Sequence, residues 1–163
     1  MTTRSFYIDT LGCQMNEQDS LRISRQLVSA GWRQAALPDD ALVVIVNSCA
    51  IRKKAEDKVY SLLGRYRAWK QERPERILAL GGCVAQQDGE RIWRRMPHVD
   101  IVFGPHHVHR VEQYLRRRLR VGGRVAETSL TEGSVDDLDC PGVSFAGGLR
   151  AFVTIMEGCN NFC

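Results

Sequence analysis

Long apolar runs are missing from this 163-residue chain. None approaches the ~18 residues that a membrane helix requires. The start, Met1-Thr2-Thr3-Arg4-Ser5-Phe6-Tyr7-Ile8-Asp9, carries neither an apolar h-region nor a small-residue cleavage site. The expectation is therefore a cytoplasmic chain with no membrane role. In a reducing cytosol the six cysteines are poor candidates for structural disulfides, and metal binding or redox chemistry is the better reading. A strong charge bias is also lacking. The formal net charge of +4 admits an RNA partner without arguing for one. No Gly-x-Gly-x-x-Gly run follows a strand and there is no phosphate-cradling P-loop, so nucleotide binding has no positive support. No His-x-x-x-His pair occurs either; His106, His107 and His109 lie at a helix start after Pro105 and read as surface residues. What remains is an ordinary globular composition, 44% apolar and 26% charged, in a chain long enough for one well-buried domain but not two large ones.

The first 127 or so residues alternate strand and helix signals. Phe6 to Leu11 reads as a strand ending in Gly12-Cys13, with Asn16 as the N-cap of a helix that ends near Ala30-Gly31. A short strand fits Trp32 to Ala36. Leu42 to Val46 is a continuous β-branched run, as expected of a parallel strand buried on both faces. Ile51, Ala55, Val59, Leu62, Tyr66 and Trp69 recur at steps of three and four, an amphipathic helix closed by Pro74. Ile77 to Leu80 is the next strand, ending in Gly81-Gly82-Cys83, with a helix from Asp88 to Met96. Val99 to Phe103 reads as a strand, followed by a helix with Val108, Val111, Leu115 and Leu119 on one face and Arg116, Arg117, Arg118 and Arg120 on its wet side. Arg124 to Glu127 fits an edge strand. This pattern predicts a doubly wound α/β domain, Rossmann-like or flavodoxin-like, with a mainly parallel sheet flanked by helices and joined by right-handed crossovers. Residues 1–127 form that domain, 128–148 a Ser/Thr/Asp/Gly/Pro-rich linker, and 149–163 the start of a second domain.

Cys13, Cys49 and Cys83 each follow a strand directly and precede a helix, about 35 residues apart, close to one βα repeat. In a parallel sheet the carboxyl ends of the strands share one edge, where ligands bind in open α/β sheets. Three thiols distant in sequence would converge there if their strands are near neighbours. Soft thiolates select zinc, copper(I) or iron–sulfur clusters. Structural zinc uses four ligands in close pairs, a pattern these three lack, and three thiolates would leave one metal position open. The competing reading is that these cysteines are merely small interior hydrophobes, which is less apt for three at equivalent positions of successive units.

At the end, Cys159-Asn160-Asn161-Phe162-Cys163 follows the strand-like Phe152 to Met156. Its C-x-x-x-C spacing matches the first two ligands of the radical S-adenosylmethionine motif C-x-x-x-C-x-x-C. The third cysteine is expected beyond Cys163. Cys140, in a Cys-Pro-Gly context, reads as an ordinary turn residue.

Together, Thr10-Leu11-Gly12-Cys13-Gln14-Met15-Asn16, Asn47-Ser48-Cys49-Ala50-Ile51-Arg52, Gly81-Gly82-Cys83-Val84-Ala85-Gln86-Gln87 and Glu157-Gly158-Cys159-Asn160 resemble the signatures of the radical S-adenosylmethionine methylthiotransferase family. The likeness spans essentially the whole chain. Gln14-Met15-Asn16, Ala50-Ile51-Arg52 and Val102-Phe103-Gly104-Pro105 look most like the branch that inserts a methylthio group at C2 of N6-isopentenyladenosine beside the tRNA anticodon. The resemblance implies two 4Fe-4S clusters and S-adenosyl-L-methionine. Cys13, Cys49 and Cys83 would hold an auxiliary cluster, and Cys159 and Cys163 would be two ligands of the radical cluster. It implies a monomer that meets tRNA mainly through carboxy-terminal parts not in this chain, with sulfur and electron donors left open. This chain alone is expected to be inactive. The alternatives are a non-catalytic iron–sulfur or electron-transfer module, or a methylthiotransferase for threonylcarbamoyl-adenosine tRNA or a ribosomal protein.

Overall fold

Six parallel strands in the order β2-β1-β3-β4-β5-β6 form the sheet of the computed structural model, which describes residues 4–50 and 53–129. The strands are β1 (Ser5–Leu11), β2 (Arg33–Gln34), β3 (Val43–Ser48), β4 (Ile77–Gly82), β5 (Ile101–Phe103) and β6 (Val125–Glu127). Five helices join them: α1 (Gln14–Ser29), α2 (Lys53–Glu72), α3 (Cys83–Asp88), α4 (Ile92–Arg95) and α5 (Val111–Val121). The expected α/β class holds, and every described strand pair is parallel.

The continuous apolar runs form strands because both faces of the sheet are covered, so each side chain has a core to enter. Successive residues point to opposite faces. Val43, Ile45, Ile77 and Ala79 pack with Ile23 and Leu27 of α1 and Val111 and Leu115 of α5. Val44, Val46, Leu78 and Leu80 pack on the other side with Val59, Leu63, Tyr66 and Trp69 of α2 and with Val84 and Ile92. Asp100 braces the far end of the sheet: its carboxylate accepts from the Leu78 backbone N–H at 2.9 Å, from Arg118 Nη2 at 3.0 Å, and from Lys70.

Four local expectations are corrected. Cys13, not Asn16, is the N-cap of α1; Asn16 is the third helical residue. The helix expected over Asp88 to Met96 begins earlier, at Cys83, and is interrupted by a 3₁₀ turn at Gly89–Arg91. Gly89 has φ +51, a conformation that favours glycine and ends the first helix. Residues Pro105–Arg110 form a 3₁₀ turn, so the α-helical period starts only at Val111. At about 100° per residue, Leu119 is carried past the core edge and is exposed, while Arg118 faces inward to Asp100. Finally, His107 is buried, whereas His106 and His109 are exposed as expected. Arg116, Arg117 and Arg120 are exposed, as the wet-face reading requires.

Candidate functional site

The sheet register brings the three cysteine-bearing strand ends side by side. Leu11 of β1 is opposite Ser48 of β3, and Ser48 is opposite Gly82 of β4. Cys13 lies two residues past the first, and Cys49 and Cys83 one residue past the others. Neighbouring strands are ~4.8 Å apart, so the three strand ends span about 10 Å. The chain leaves β1 toward β2 on one side and resumes at β3 on the other. The gap between β1 and β3 is thus the topological switch point, where open α/β sheets bind ligands.

Glycines let these ends approach. A Cβ on Gly12 would sit 2.2 Å from Asn16 Oδ1 and 2.8 Å from Cys49 Cβ. Gly82 has φ +90, and a Cβ there would meet the Ser48 carbonyl at 2.1 Å. The Gly-Cys pairs preceding α1 and α3 are therefore steric requirements of the rim.

A carboxamide network fixes the rim from below. Asn16 Oδ1 accepts from the Cys13 backbone N–H at 3.2 Å, the reciprocal half of a capping box. The Cys13 thiol donates to the same oxygen at 3.4 Å. Asn16 Nδ2 donates to the Ser48 carbonyl at 3.0 Å and to Asn47 Oδ1 at 3.2 Å. Asn47 Nδ2 donates back to the Asn16 carbonyl at 2.9 Å and to Ser20 Oγ at 3.0 Å. Ser48 Oγ donates to the Gly81 carbonyl, joining β3 to β4. The sequence pattern offers Asn16 only as an N-cap and offers no role for Asn47 or Ser48. The signal available was their place inside the motifs that carry Cys13 and Cys49.

All three thiols are free. Cys49 is buried, and Cys13 and Cys83 are exposed at the rim. Burial pushes the Cys83 thiol up; a hydrogen bond with the Ala50 backbone opposes this, and the neighbouring Cys49 and Cys13, then Asp19, add to it. Cys49 and Cys13 are thus near enough to Cys83 to disfavour its thiolate, an effect that a bound cation relieves. Among the described residues no three or more His, Cys, Asp or Glu groups close around a single metal ion. A polynuclear cluster asks for something different, one thiolate for each of several metals. Three neighbouring soft donors without a fourth fit such a group better than a closed zinc site.

Beside the rim, a groove between β1 and α2 is lined by Asp9, Leu11, Asp57, Lys58, Ser61 and Arg65. The Tyr66 hydroxyl donates to Asp9 at 3.0 Å. No described helix is long and apolar enough to cross a membrane. Cys140, Cys159 and Cys163, with the expected linker and second-domain strand, lie outside the described residues.

Comparison with known proteins agrees with the motifs. A tRNA-2-methylthio-N(6)-dimethylallyladenosine synthase of Actinobacillus succinogenes is 43% identical over 162 residues, covering 99% of this chain and 34% of the relative. Proteins of the same name from Halorhodospira halophila and Geobacter metallireducens are 42% and 43% identical, each over 96% of this chain. The chain spans about a third of the length of the curated relatives it matches. The family model described as Uncharacterized protein family UPF0004 matches residues 5–104, and the chain belongs to that family.

Proposed function

We propose that this chain is the cluster-bearing portion of a tRNA methylthiotransferase that modifies C2 of N6-isopentenyladenosine beside the anticodon. Cys13, Cys49 and Cys83 hold an auxiliary 4Fe-4S cluster, and Cys159 and Cys163 supply two ligands of a radical 4Fe-4S cluster that uses S-adenosyl-L-methionine. The observation that carries the reading is the Leu11, Ser48, Gly82 row, which sets three cysteines at one rim. The printed names of the relatives support the substrate. When bound, these cofactors supply the radical and sulfur-transfer chemistry that an unactivated aromatic C–H demands, since it offers no acid–base handle.

The protein's own residues do the positioning. Cys49 enters the site from a fully buried strand, which makes it the least movable of the three. Asn16 holds the Cys13 backbone while its amide ties α1 to the end of β3. Gly12 and Gly82 keep side chains out of the space between the strand ends. The molecule works in the cytoplasm as a monomer, and tRNA is engaged mainly by the remaining two-thirds of the full-length polypeptide.

The test is an anaerobic assay of a polypeptide of the relatives' full length containing this chain, with isopentenylated tRNA digested to nucleosides and weighed by mass spectrometry. A gain of one methylthio group at that adenosine is expected. Modification of threonylcarbamoyl-adenosine or of a ribosomal protein instead would reassign the substrate.

A further inference from the structure

Helix α3 makes a second contact, on the side of the sheet away from β1. Its first residue is Cys83 at the rim. One turn along, Gln86 Nε2 donates to the Thr128 carbonyl at 2.7 Å. Gln86 Oε1 lies where a Cβ on Gly104 would be, 1.9 Å away, so the glycine admits the amide. That oxygen is buried and receives no hydrogen bond. The amide orientation is nonetheless fixed, because the reverse would set two oxygens against each other at Thr128.

The chain leaving β6 is held at three successive carbonyls by three different parts of the domain. Glu127 accepts from the Gly104 N–H at 2.9 Å, and Thr128 accepts from Gln86. The Ser129 carbonyl lies 2.9 Å from His107 Nε2. A carbonyl can only accept, so His107 presents Nε2–H to Ser129, and its Nδ1 accepts from the Tyr114 hydroxyl at 3.1 Å. His107 is 2% exposed, so water does not replace this contact. Backbone that has passed the last residue of an edge strand is ordinarily left to solvent. Here it is strapped down.

Resting on the thiol reading above, we infer that Gln86 is a positioning residue that couples the state of the Cys83 sulfur to the path of the chain at Thr128–Ser129. Helix α3 is six residues long and touches β3, β4 and β5, so it spans from the thiol rim to the exit segment as a short bar. A group attached to Cys83 shifts or fixes its first turn, and Gln86, in the next, carries that change to Thr128. His107 is the second anchor and is independent of α3.

The experiment measures hydrogen exchange of the amides of residues 125–129 by mass spectrometry, with α5 as internal reference. The 163-residue chain carrying Cys13→Ser, Cys140→Ser, Cys159→Ser and Cys163→Ser, which leaves the buried Cys49 as the one other thiol, is compared before and after its exposed Cys83 is alkylated with N-ethylmaleimide, with occupancy read from the peptide mass. Exchange of this stretch changes several-fold on alkylation in the parent chain. In Gln86→Glu, which keeps the shape but offers Thr128 no N–H, it is about tenfold faster from the outset and no longer responds. Gln86→Met, which lacks a donor without adding charge, behaves the same way if the carboxylate disturbs folding. In His107→Gln the baseline rises and the response persists, which a merely structural loss of packing does not give. No response in the parent chain, or an unaltered response in both Gln86 variants, overturns the coupling. Because the probe is a maleimide rather than iron, a failure of cluster loading leaves this test intact.

Discussion

Asn16 and Asn47 hold each other in a reciprocal pair: Asn16 Nδ2 donates to Asn47 Oδ1 at 3.2 Å, and Asn47 Nδ2 donates to the Asn16 carbonyl at 2.9 Å. Both are buried, and the pair joins the first turn of α1 to the end of β3. Replacing Asn47 by Ala leaves one N–H of the buried Asn16 amide without its acceptor and removes a donor from Ser20. A buried group left without its partner costs about 1–3 kcal/mol. Urea denaturation of Asn47→Ala is expected to show a loss of that size, with a lowered midpoint and unchanged slope. Less than about 0.5 kcal/mol would mean that water replaces the amide and that the network does not fix the rim.

Two glycines test the steric reading in opposite directions. Gly82→Ala forces a side chain into a backbone conformation that L residues avoid and against the Ser48 carbonyl at 2.1 Å. Strain of this kind costs about 1–3 kcal/mol before any displacement of β3. Gly64, in the middle of α2 with nothing within 4 Å of its missing Cβ, should gain about 0.5–1 kcal/mol on replacement by Ala. Thermal melts of the two variants are expected to move apart. Equal shifts would contradict the packing described.

The brace at the far end of the sheet gives a third expectation. Asp100 answers Lys70, Arg118 and the Leu78 N–H together. Asp100→Ala leaves two partly buried cations and a buried backbone donor unanswered, and is expected to cost about 3 kcal/mol. Because this site is distant from the rim, iron uptake of the folded fraction should be unchanged. A variant as stable as the parent would show that solvent already satisfies these groups.

Stability should fall away at both extremes of pH for identifiable reasons. Burial first, then the hydrogen bond to Asp88, pushes the Tyr60 phenol from its ordinary 10.0 up to about 12. Burial and Asp9 raise Tyr66 in the same direction. The folded state retains these protons where the unfolded state has lost them, so stability declines as pH rises from about 10 to about 12. Burial lowers His98 below its ordinary 6.5, with its Nε2 bonded to the Leu63 carbonyl at 2.7 Å. The unfolded chain then binds the proton first, and stability declines as pH drops below about 6.5. Tyr60→Phe should flatten the alkaline limb of a denaturation-versus-pH profile, and an unchanged limb would assign it elsewhere.

Much of this arrangement could be read from the residues. The run Leu42 to Val46 has the pattern of a strand covered on both faces, Ile77 to Leu80 reads as the next strand, and the cysteines that follow the strands mark one rim. What escaped depended on contacts between distant elements. Asn16 has the composition of an N-cap, yet the helix begins at Gln14 because Cys13 takes the cap and Asn16 reaches back to it. Leu119 kept the apolar rhythm, but the rhythm counted through a 3₁₀ turn, and Arg118 took the inward place. His107 looks like its exposed neighbours, and only Tyr114 and Ser129 make it a buried anchor. The register that aligns Leu11, Ser48 and Gly82 depends on strand order, which the sequence pattern did not specify.

The most direct measurement is iron bound per chain after anaerobic reconstitution with iron and sulfide. It is made in a Cys140→Ser/Cys159→Ser/Cys163→Ser background, so that only the rim thiols are counted. About four irons per chain are expected, lost together when Cys13, Cys49 or Cys83 is individually changed to Ser. Full retention of iron in any of those three variants, or one zinc per chain in place of iron, would contradict the account.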